Sequence, residues 1–334
     1  MDEAPPPSRS ISQIVRLHCR ERLLVRPIYW TDRHLELLGC SFGEPSPAPS
    51  TVPPVLFGIR GSGHVRRAFA ENNYAKVVGR ENALDMLLGE DGPCNERPNV
   101  RFSFNRRHVQ TLKCNVFFPK IQEPDKWPPI VAARLDLTRM ELLREALFEP
   151  HPHLAEAIEQ CESARALAYA KLQKITPKKP RHDPYIVAIL IAIAQENSER
   201  VALNNEPSLS LLTSQVLVTL SDIKTHDIKE LHVYKASITS SFLRSLDDPS
   251  FVPSEPLSIP INITTVRYAP FRTFLDRLTP LVLPEIDLAR LRDMKGDYDA
   301  PPSIVKDHEG TQTSRDMKSR MKHTRRKGKR KTGQ

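Results

Sequence analysis

An uninterrupted apolar run of ten residues, 185–194, constrains the fold of this chain more than any other segment. A bilayer span needs roughly twenty apolar residues, so a run of this length predicts a core element and not a membrane segment. Asp183 and Pro184 stand directly before it, in the order typical of a helix N-cap and first helical position. Alternate residues of the run could also form a strand, but the polar continuation 195–198 favours a helix. We therefore predict a buried helix from Pro184 to about Val201.

Helical and strand periodicities alternate on both sides of this helix and predict a mixed architecture. The fold class that we predict is α+β, with helices packed on a small mixed β-sheet, irregular proline-rich segments and a disordered C-terminal tail. Thr138 and Glu141 have the spacing of a capping box before one of the helices. The other predicted helices are 11–26, 64–78, 154–175, 241–246 and 271–283, the last interrupted at Pro280, and the predicted strands are 55–59, 215–220, 231–238, 257–268 and a hairpin over 100–118.

Composition divides the chain into four parts. It contains 30 prolines and only 12 glycines, and proline removes backbone donors and disfavours packed elements. We predict a disordered segment 1–10, an N-terminal α/β region 11–125 with a proline-rich loop 43–54, a C-terminal α/β core 130–290 and a disordered basic tail 300–334. The five cysteines lie far apart without C-x-x-C spacing, which fits reduced thiols of an intracellular protein and disfavours a cysteine zinc site.

The positive charge of the chain is concentrated at its C-terminus. The formal net charge is +9, yet residues 311–334 contain ten lysines and arginines and one acid. The preceding 310 residues therefore carry equal numbers of basic and acidic side chains. A domain that holds a phosphate backbone normally has excess positive charge on its folded part. The charge distribution thus favours a balanced body with a basic arm.

The basic arm is the most specific functional signal in the sequence. Dense like charge without apolar partners does not fold alone and is typical of a nuclear-import signal or a nucleic-acid-binding arm. We predict nuclear localisation, with the cytoplasm as the alternative, and an import receptor or non-specifically bound nucleic acid as partner of the tail. No membrane partner is expected. The residues of this predicted signal are Arg325, Arg326, Lys327, Lys329, Arg330 and Lys331.

Several core-type segments carry a resemblance to known proteins: 140–147, Pro184-Tyr185, 190–195, 215–219, 231–236 and Phe242-Leu243. These segments resemble a family of proteins common in filamentous fungi, for which no activity is established. The resemblance covers residues ~139–283, a little under half of the chain, and carries no chemistry-bearing motif. It implies no function, cofactor or site residue.

Two motifs fall short of the sites that they suggest. The segment Gly58–Arg66 follows a predicted strand and precedes a predicted helix, the setting of a phosphate-binding turn, but arginine occupies the position where the dinucleotide fingerprint requires its third glycine. The elements from 184 to 246 invite comparison with a nuclease fold that uses Asp/Glu-x-Lys. Lys235 lies on the second strand and Asp222 follows the first, but Val233 occupies the position of the required carboxylate.

Other candidate residues have ordinary structural explanations. Arg101 and its basic neighbours alternate with Phe102 and Phe104, and a strand places the two sets on opposite faces, so we predict aromatic residues inside and basic ones in water. His151 and His153 flank a proline in a predicted turn. His182 could act as a base oriented by Asp183, but Asp183 is expected to cap a helix.

We therefore expect a non-enzymatic nuclear or nucleocytoplasmic interaction protein with a basic tail for localisation, and we assign no catalytic residue, cofactor or metal. The alternative is a nucleic-acid-acting enzyme, or an inactive relative, with a restriction-endonuclease-like core around Asp222 and Lys235. A nucleotide-binding module around Gly61 is a third hypothesis.

Overall fold

The computed structural model describes residues 8–49, 81–82, 84–90, 92–120, 125–148, 161–220, 229–270 and 273–283. In these parts the helices are α1 (Ile11–Leu17), α2 (Asp32–Leu37), α3 (Leu137–Ala146), α4 (Glu162–Ile175), α5 (Pro184–Leu203), α6 (Ser240–Asp247) and α7 (Phe274–Val282), with 3₁₀ turns at Pro27–Tyr29 and Pro180–His182 and a π-helical turn at Met86–Glu90. The strands are β1 (Cys40–Phe42), β2 (Ser46–Pro47), β3 (Cys94–Phe104), β4 (Arg107–Pro119), β5 (Ala132–Asp136), β6 (Leu211–Thr219), β7 (Glu230–Thr239) and β8 (Ile259–Arg267).

The strands form one mixed sheet, which confirms the α+β fold class. Among the described strands the order is β1-β8-β7-β6-β5-β4-β3, and β2 pairs with β8 beside β1. The pairs β3–β4, β4–β5, β6–β7 and β7–β8 are antiparallel, whereas β5–β6, β1–β8 and β2–β8 are parallel. Strands from both sides of residue 125 join this sheet, because Val116 pairs with Ala133 and Phe42 pairs with Ile261.

Helix α5 packs on one face of the sheet, as its apolar first half predicts. Residues 184–195 are all buried, and the helix contacts β3, β5, β6 and β7. Asp183 caps it by accepting a hydrogen bond from the backbone N–H of Tyr185 at 2.8 Å. Burying a Leu or Ile side chain contributes about 1.5–3 kcal/mol, so this helix is a large part of the core. The predicted helix is confirmed and runs two residues beyond Val201.

The opposite face of the sheet carries a second apolar cluster, so the central strands are buried on both sides. Phe118 belongs to the cluster beneath α5, while its neighbour Phe117 belongs to the second cluster with Leu88, Leu217 and Leu278. Successive strand residues point to opposite faces, which explains why 216–218 is continuously apolar. No helix in the described parts of the chain has the length and apolarity needed to cross a bilayer.

The N-terminal segment differs from its prediction in two respects. Ser10, placed in the disordered segment 1–10, is buried and caps α1: its side chain accepts from the Gln13 N–H, and its own N–H donates to the Gln13 side chain. The helix predicted over 11–26 ends at Leu17. Further along, Ser46 and Pro47 of the predicted loop 43–54 form β2 on the edge of β8. Residues 50–54, like the predicted strand 55–59 and the predicted helix 64–78, lie outside the described residues.

Two predicted helix features are wrong in detail. The capping box of Thr138 and Glu141 does not form, because the helix begins two residues earlier than this box requires and Asp136 caps it by accepting from the N–H groups of Thr138 and Arg139. Pro280 does not interrupt α7, which continues to Val282. Proline at this position costs one hydrogen bond in the last turn but leaves the φ angle suitable for a helix.

Helix α4 forms only the second half of the predicted helix 154–175 within the described residues, because 149–160 lie outside them. Ala164, Ala168 and Leu172 are half-buried and Ile175 is buried, while Leu167 is 56% exposed. The apolar stripe therefore faces the body, as its spacing predicts, and the lysines of the last two turns lie in solvent.

Candidate functional site

A basic groove of about 870 Å³ lies between residues 20–34 and the C-terminal half of α4. We define the basic groove by its five cations, Arg20, Arg22, Arg33, Lys171 and Lys174, which the two segments bring together across a sequence separation of about 140 residues. Glu21 is the single carboxylate in its described lining. The lining therefore has a strong positive excess.

One cation of the groove is neutralised internally. Arg33 donates to Glu21 at 2.9 Å and to Glu36 at 2.7 Å. The hydrogen bond from Arg33 lowers the pKa of Glu21, and both carboxylates raise the pKa of Arg33. Arg33 is thereby held in place and forms part of the wall. No ion pair joins the remaining four cations to any described residue, so their charge is available to a partner.

The floor of the groove is apolar. It is formed by Leu23, Val25 and the buried Ile175, with the half-buried Phe148 and Tyr29 at its sides. Arg26 covers one face of the Tyr29 ring, with its guanidinium carbon 5.3 Å from the ring centre, and donates to the Tyr29 hydroxyl at 3.3 Å. A planar base therefore cannot stack on that face. The groove combines four available cations with an aliphatic floor.

The overall charge balance of the sequence does not reveal this site. The body is neutral on average, but the charges are unevenly distributed in space. A local signal was present: residues 171–181 contain five cations and no acid, and residues 16–26 contain four arginines and one glutamate. Only the tertiary contact between residues 20–34 and α4 shows that the two basic segments face the same hollow.

Most of the sequence-predicted candidates lie outside the described residues. These are the tail cations Arg325, Arg326, Lys327, Lys329, Arg330 and Lys331, the turn 58–66, the histidines 151 and 153, and Asp222. The roles predicted for them stay predictions.

Lys235 is exposed on β7 between two amide side chains. Its cross-strand neighbours are Gln215 on β6 and Asn262 on β8. Val233 and Ser237 share its face on the same strand. A nuclease site requires carboxylates here to hold a divalent cation, and the described strand neighbours of Lys235 contribute none.

Carboxylates do converge elsewhere, around the buried Arg134 on β5. Arg134 donates to both oxygens of Asp85 at 2.6 and 2.8 Å and lies 3.2 Å from Glu81. Asn115 also donates to Asp85 at 2.9 Å, and Arg139 donates to Glu81 at 2.9 Å. Burial opposes the charge of Arg134, but its bonds to the two carboxylates outweigh this effect and raise its pKa.

This acid–arginine cleft has a volume of about 590 Å³, and an arginine occupies the place where a metal ion would balance the acids. Asp136, which also lines the cleft, is engaged as the cap of α3. No three His, Cys, Asp or Glu side chains in the described part of the chain are arranged to hold a metal. The geometry of the cleft is that of an internally compensated ion network.

The hairpin residues and His182 occupy structural positions. β3 and β4 form the predicted antiparallel hairpin, in which Phe102 is buried and Arg101 is exposed, so the prediction of aromatic residues inside and basic residues in water is confirmed. The ring of His182 stacks on Phe42, with centroids 4.5 Å apart. Asp183 bonds to Arg144 and to the backbone of α5, which leaves it no role as an orienter of His182.

No protein-family model matches this chain, and no curated protein matches it either. The fungal resemblance stays an expectation from the sequence.

Proposed function

We propose that this chain is a non-enzymatic interaction protein of the nucleus or nucleocytoplasm, whose basic groove binds an acidic segment of a protein partner. The observation that carries the proposal is the set of four cations, Arg20, Arg22, Lys171 and Lys174, without ion pairs to described residues in one hollow. In this proposal the basic tail supplies localisation, through an import receptor, and adds non-specific attraction to nucleic acid.

The lining of the groove favours an acidic peptide over nucleic acid. A peptide can place carboxylates against the cations and aliphatic side chains on the floor formed by Leu23, Val25 and Ile175. A single-stranded nucleic acid stacks its bases on exposed aromatic faces. Both aromatic residues of the groove, Tyr29 and Phe148, are half-buried, and Arg26 covers one face of Tyr29. The chemistry of the groove therefore fits a partner that is both acidic and apolar.

The ion pairs in the cleft around Arg134 support the proposal of an interaction protein over that of an enzyme. Its acids are bound by arginine and by backbone N–H groups, and those same oxygens would have to coordinate a metal in a nuclease. The alternative of a nucleic-acid-acting enzyme around Asp222 and Lys235 has weaker support, because Lys235 faces amides and not carboxylates.

Fluorescence anisotropy with a short labelled peptide of repeating Glu-Glu-Leu tests the proposal. The protein is the full chain with all ten lysines and arginines of residues 311–334 replaced by Gln, so that the tail does not contribute. Replacing Arg20, Arg22, Lys171 and Lys174 together by Gln should weaken binding by about tenfold or more, since an exposed ion pair contributes about 0.2–1 kcal/mol. Binding should also weaken steeply with added salt.

The matched control replaces four exposed cations outside the groove, Arg107, Arg165, Lys178 and Lys179, by Gln and should leave the affinity within about twofold. A repeating Gln-Gln-Leu peptide should not bind, and a polyglutamate peptide should bind more weakly than the mixed one. Tighter binding of oligothymidylate than of the peptide, lost in the groove variant, would show that the site serves nucleic acid and would overturn the proposal.

A further inference from the structure

Helix α3 presents a stripe of exposed residues to the solvent. Glu141, Leu142 and Glu145 are exposed, whereas Met140 and Arg144 on the other side of the helix are buried. Side chains three and four positions apart lie next to each other on a helix, so the two carboxylates are neighbours and Leu142 lies beside them. We call these three exposed residues the α3 face. It combines two negative charges with one aliphatic side chain.

The two carboxylates of the α3 face are not compensated within the described parts of the chain. Arg139 and Arg144 of the same helix form ion pairs with other carboxylates, and no ion pair joins Glu141 or Glu145 to a described residue. Partial burial and repulsion from Glu145 raise the pKa of Glu141. A partner that places cations against this face therefore relieves the repulsion between its two carboxylates.

The basic groove is the complementary surface. Its four available cations, Arg20, Arg22, Lys171 and Lys174, surround an aliphatic floor. The α3 face presents carboxylates and a leucine, which is the combination of groups that we propose for the partner of the groove. The two surfaces carry opposite charges, and each has an apolar part that the contact would remove from water.

The α3 face and the basic groove are neighbours on the surface of one chain. Phe148, which lines the groove, follows Glu145 by three residues, less than one turn of a helix. Helix α3 also contacts α4, whose C-terminal half carries two of the groove cations. The face cannot turn into the groove of its own chain, because the buried Met140 and Arg144 hold the opposite side of α3 in the body. It can reach the groove of a second copy.

We propose that the acidic partner of the basic groove is a second copy of this chain, whose α3 face docks into the groove. This inference rests on the proposed function of the groove and names its partner. Because the two surfaces are neighbours, a two-fold axis between them lets each copy place its α3 face in the groove of the other, so the same contact forms twice. Much of the contact joins exposed charges, so the dimer dissociates in dilute solution and at high salt.

Analytical ultracentrifugation of the full chain should show a reversible monomer–dimer equilibrium that shifts to monomer with added salt. The face variant carries Glu141→Lys and Glu145→Lys, and the groove variant has the four available groove cations replaced by Glu. Each variant should dimerise about tenfold more weakly or less, because like charges then face each other. A mixture of the two variants should dimerise again, since each contact then joins opposite charges. If the groove variant does not fold, the Gln variant of the same four cations should show the same loss of the dimer.

The matched control reverses a second exposed pair of acids, Glu199 and Asp247, whose carboxylates also repel each other. Glu199 lies on α5 sixteen residues beyond Asp183, which bonds to α3, and this separation corresponds to roughly 24 Å along the helix. Glu199→Lys with Asp247→Lys should therefore leave the dimerisation constant within about twofold of the native value.

The peptide of repeating Glu-Glu-Leu separates this inference from the proposed function. The face variant keeps the native groove and should bind the peptide, and the peptide should convert the native dimer to monomers. A native chain that stays monomeric, a face variant that dimerises like the native chain, or a mixture of variants that stays monomeric would each overturn the second copy as the partner, while peptide binding would still support the groove. Loss of the dimer when the ten tail cations are replaced by Gln would assign the α3 face to the tail and overturn the inference. A face variant that does not bind the peptide would overturn the proposed function, and the inference with it.

Discussion

Arg144 on α3 and Asp183 at the start of α5 form a buried, two-bond ion pair that joins two helices across the sequence. Both side chains are about 2% exposed, and the guanidinium donates to the two carboxylate oxygens at 2.7 and 2.6 Å. The same carboxylate accepts from the N–H of Tyr185 and caps α5. One aspartate therefore fixes the start of the core helix and the position of α3.

Replacing Arg144 by Met should destabilise the protein by about 3–5 kcal/mol, because it leaves the Asp183 charge buried and unpaired. Urea unfolding followed by circular dichroism measures the loss. Leu142→Ala on the same helix is the control, since Leu142 is 56% exposed and its removal should cost less than about 1 kcal/mol. Equal losses in the two variants would contradict this role of the pair.

Adding Asp183→Asn to the Arg144→Met variant should recover part of the lost stability. The amide oxygen of asparagine can still accept from the Tyr185 N–H, while the buried charge is removed. The same urea unfolding experiment checks this. A double variant less stable than Arg144→Met would show that the charge itself is not the cost.

The helix cap formed by Asp183 could be predicted from the sequence, whereas its ion pair with Arg144 could not. Asp183 followed by Pro184 and an apolar run is a pattern with a cap and a first helical position, so the start of α5 was predictable. Arg144 lies 39 residues earlier. Its helical periodicity indicates only that it belongs to a helix, and a charge on an amphipathic helix is ordinarily expected in solvent.

His232 on β7 should make the folded state sensitive to acid. It is 1% exposed, and burial, with a smaller effect of Arg181, lowers its pKa to about 4 from 6.5. Thr265 lies 3.4 Å from its Nδ1, and Glu230 lies 3.5 Å from its Nε2. The unfolded chain binds a proton at His232 more tightly than the folded protein does. The free energy of unfolding therefore falls as the pH is lowered from about 6.5 to 4.

The lowered pKa of His232 corresponds to a loss of about 3 kcal/mol in the free energy of unfolding once the pH is below both pKa values. Urea unfolding from pH 7 to pH 4 should show a shallower loss for His232→Gln than for the native protein, with the two curves separating below about pH 6.5. His34 contributes in the same direction and is unchanged in both proteins. Parallel curves across this range would exclude His232 as the source.

The functional surfaces were less predictable than the strands and helices, for a physical reason. The hairpin, β6, β7 and α5 follow from periodicity, which depends on neighbours within a few residues. The basic groove forms because the fold places Arg22 and Lys171, which are far apart in the sequence, in the lining of one hollow. The ion network likewise depends on a tertiary contact between Asp85 and Arg134. Arg134 lies within the otherwise apolar strand sequence Ala132-Ala133-Arg134-Leu135, which does not predict the carboxylate that pairs with it.

The tail should determine where the protein accumulates. A fluorescent fusion of the full chain in which Arg325, Arg326, Lys327, Lys329, Arg330 and Lys331 are replaced by Gln should lose nuclear accumulation, because an import signal of this kind requires dense positive charge. Microscopy of live cells gives the nuclear to cytoplasmic ratio. The control carries the same number of Gln substitutions at exposed cations of the body. An unchanged ratio in the tail variant would mean that the tail does not direct nuclear accumulation.

Arg134 should stabilise the fold by compensating two carboxylates, and Arg139 should not. Arg134→Met leaves Asp85 and Glu81 facing each other with little exposure and should cost about 3–5 kcal/mol. Arg139 also pairs with Glu81, but its side chain is 55% exposed, so Arg139→Met should cost less than about 1 kcal/mol.

The pH dependence of the Arg134→Met variant distinguishes lost charge compensation from lost packing. Without the arginine, the two little-exposed carboxylates of Asp85 and Glu81 repel each other, which favours the uptake of a proton by the folded variant. The folded variant then binds protons more tightly than its unfolded chain, so lowering the pH from 7 to 5 should restore part of its stability. Urea unfolding at the two pH values measures this recovery against Arg139→Met. A loss of stability that is the same at pH 5 as at pH 7 would mean that Arg134 acts through its packing, and the ion network would have no part in holding β5 to the helical segment that carries Asp85.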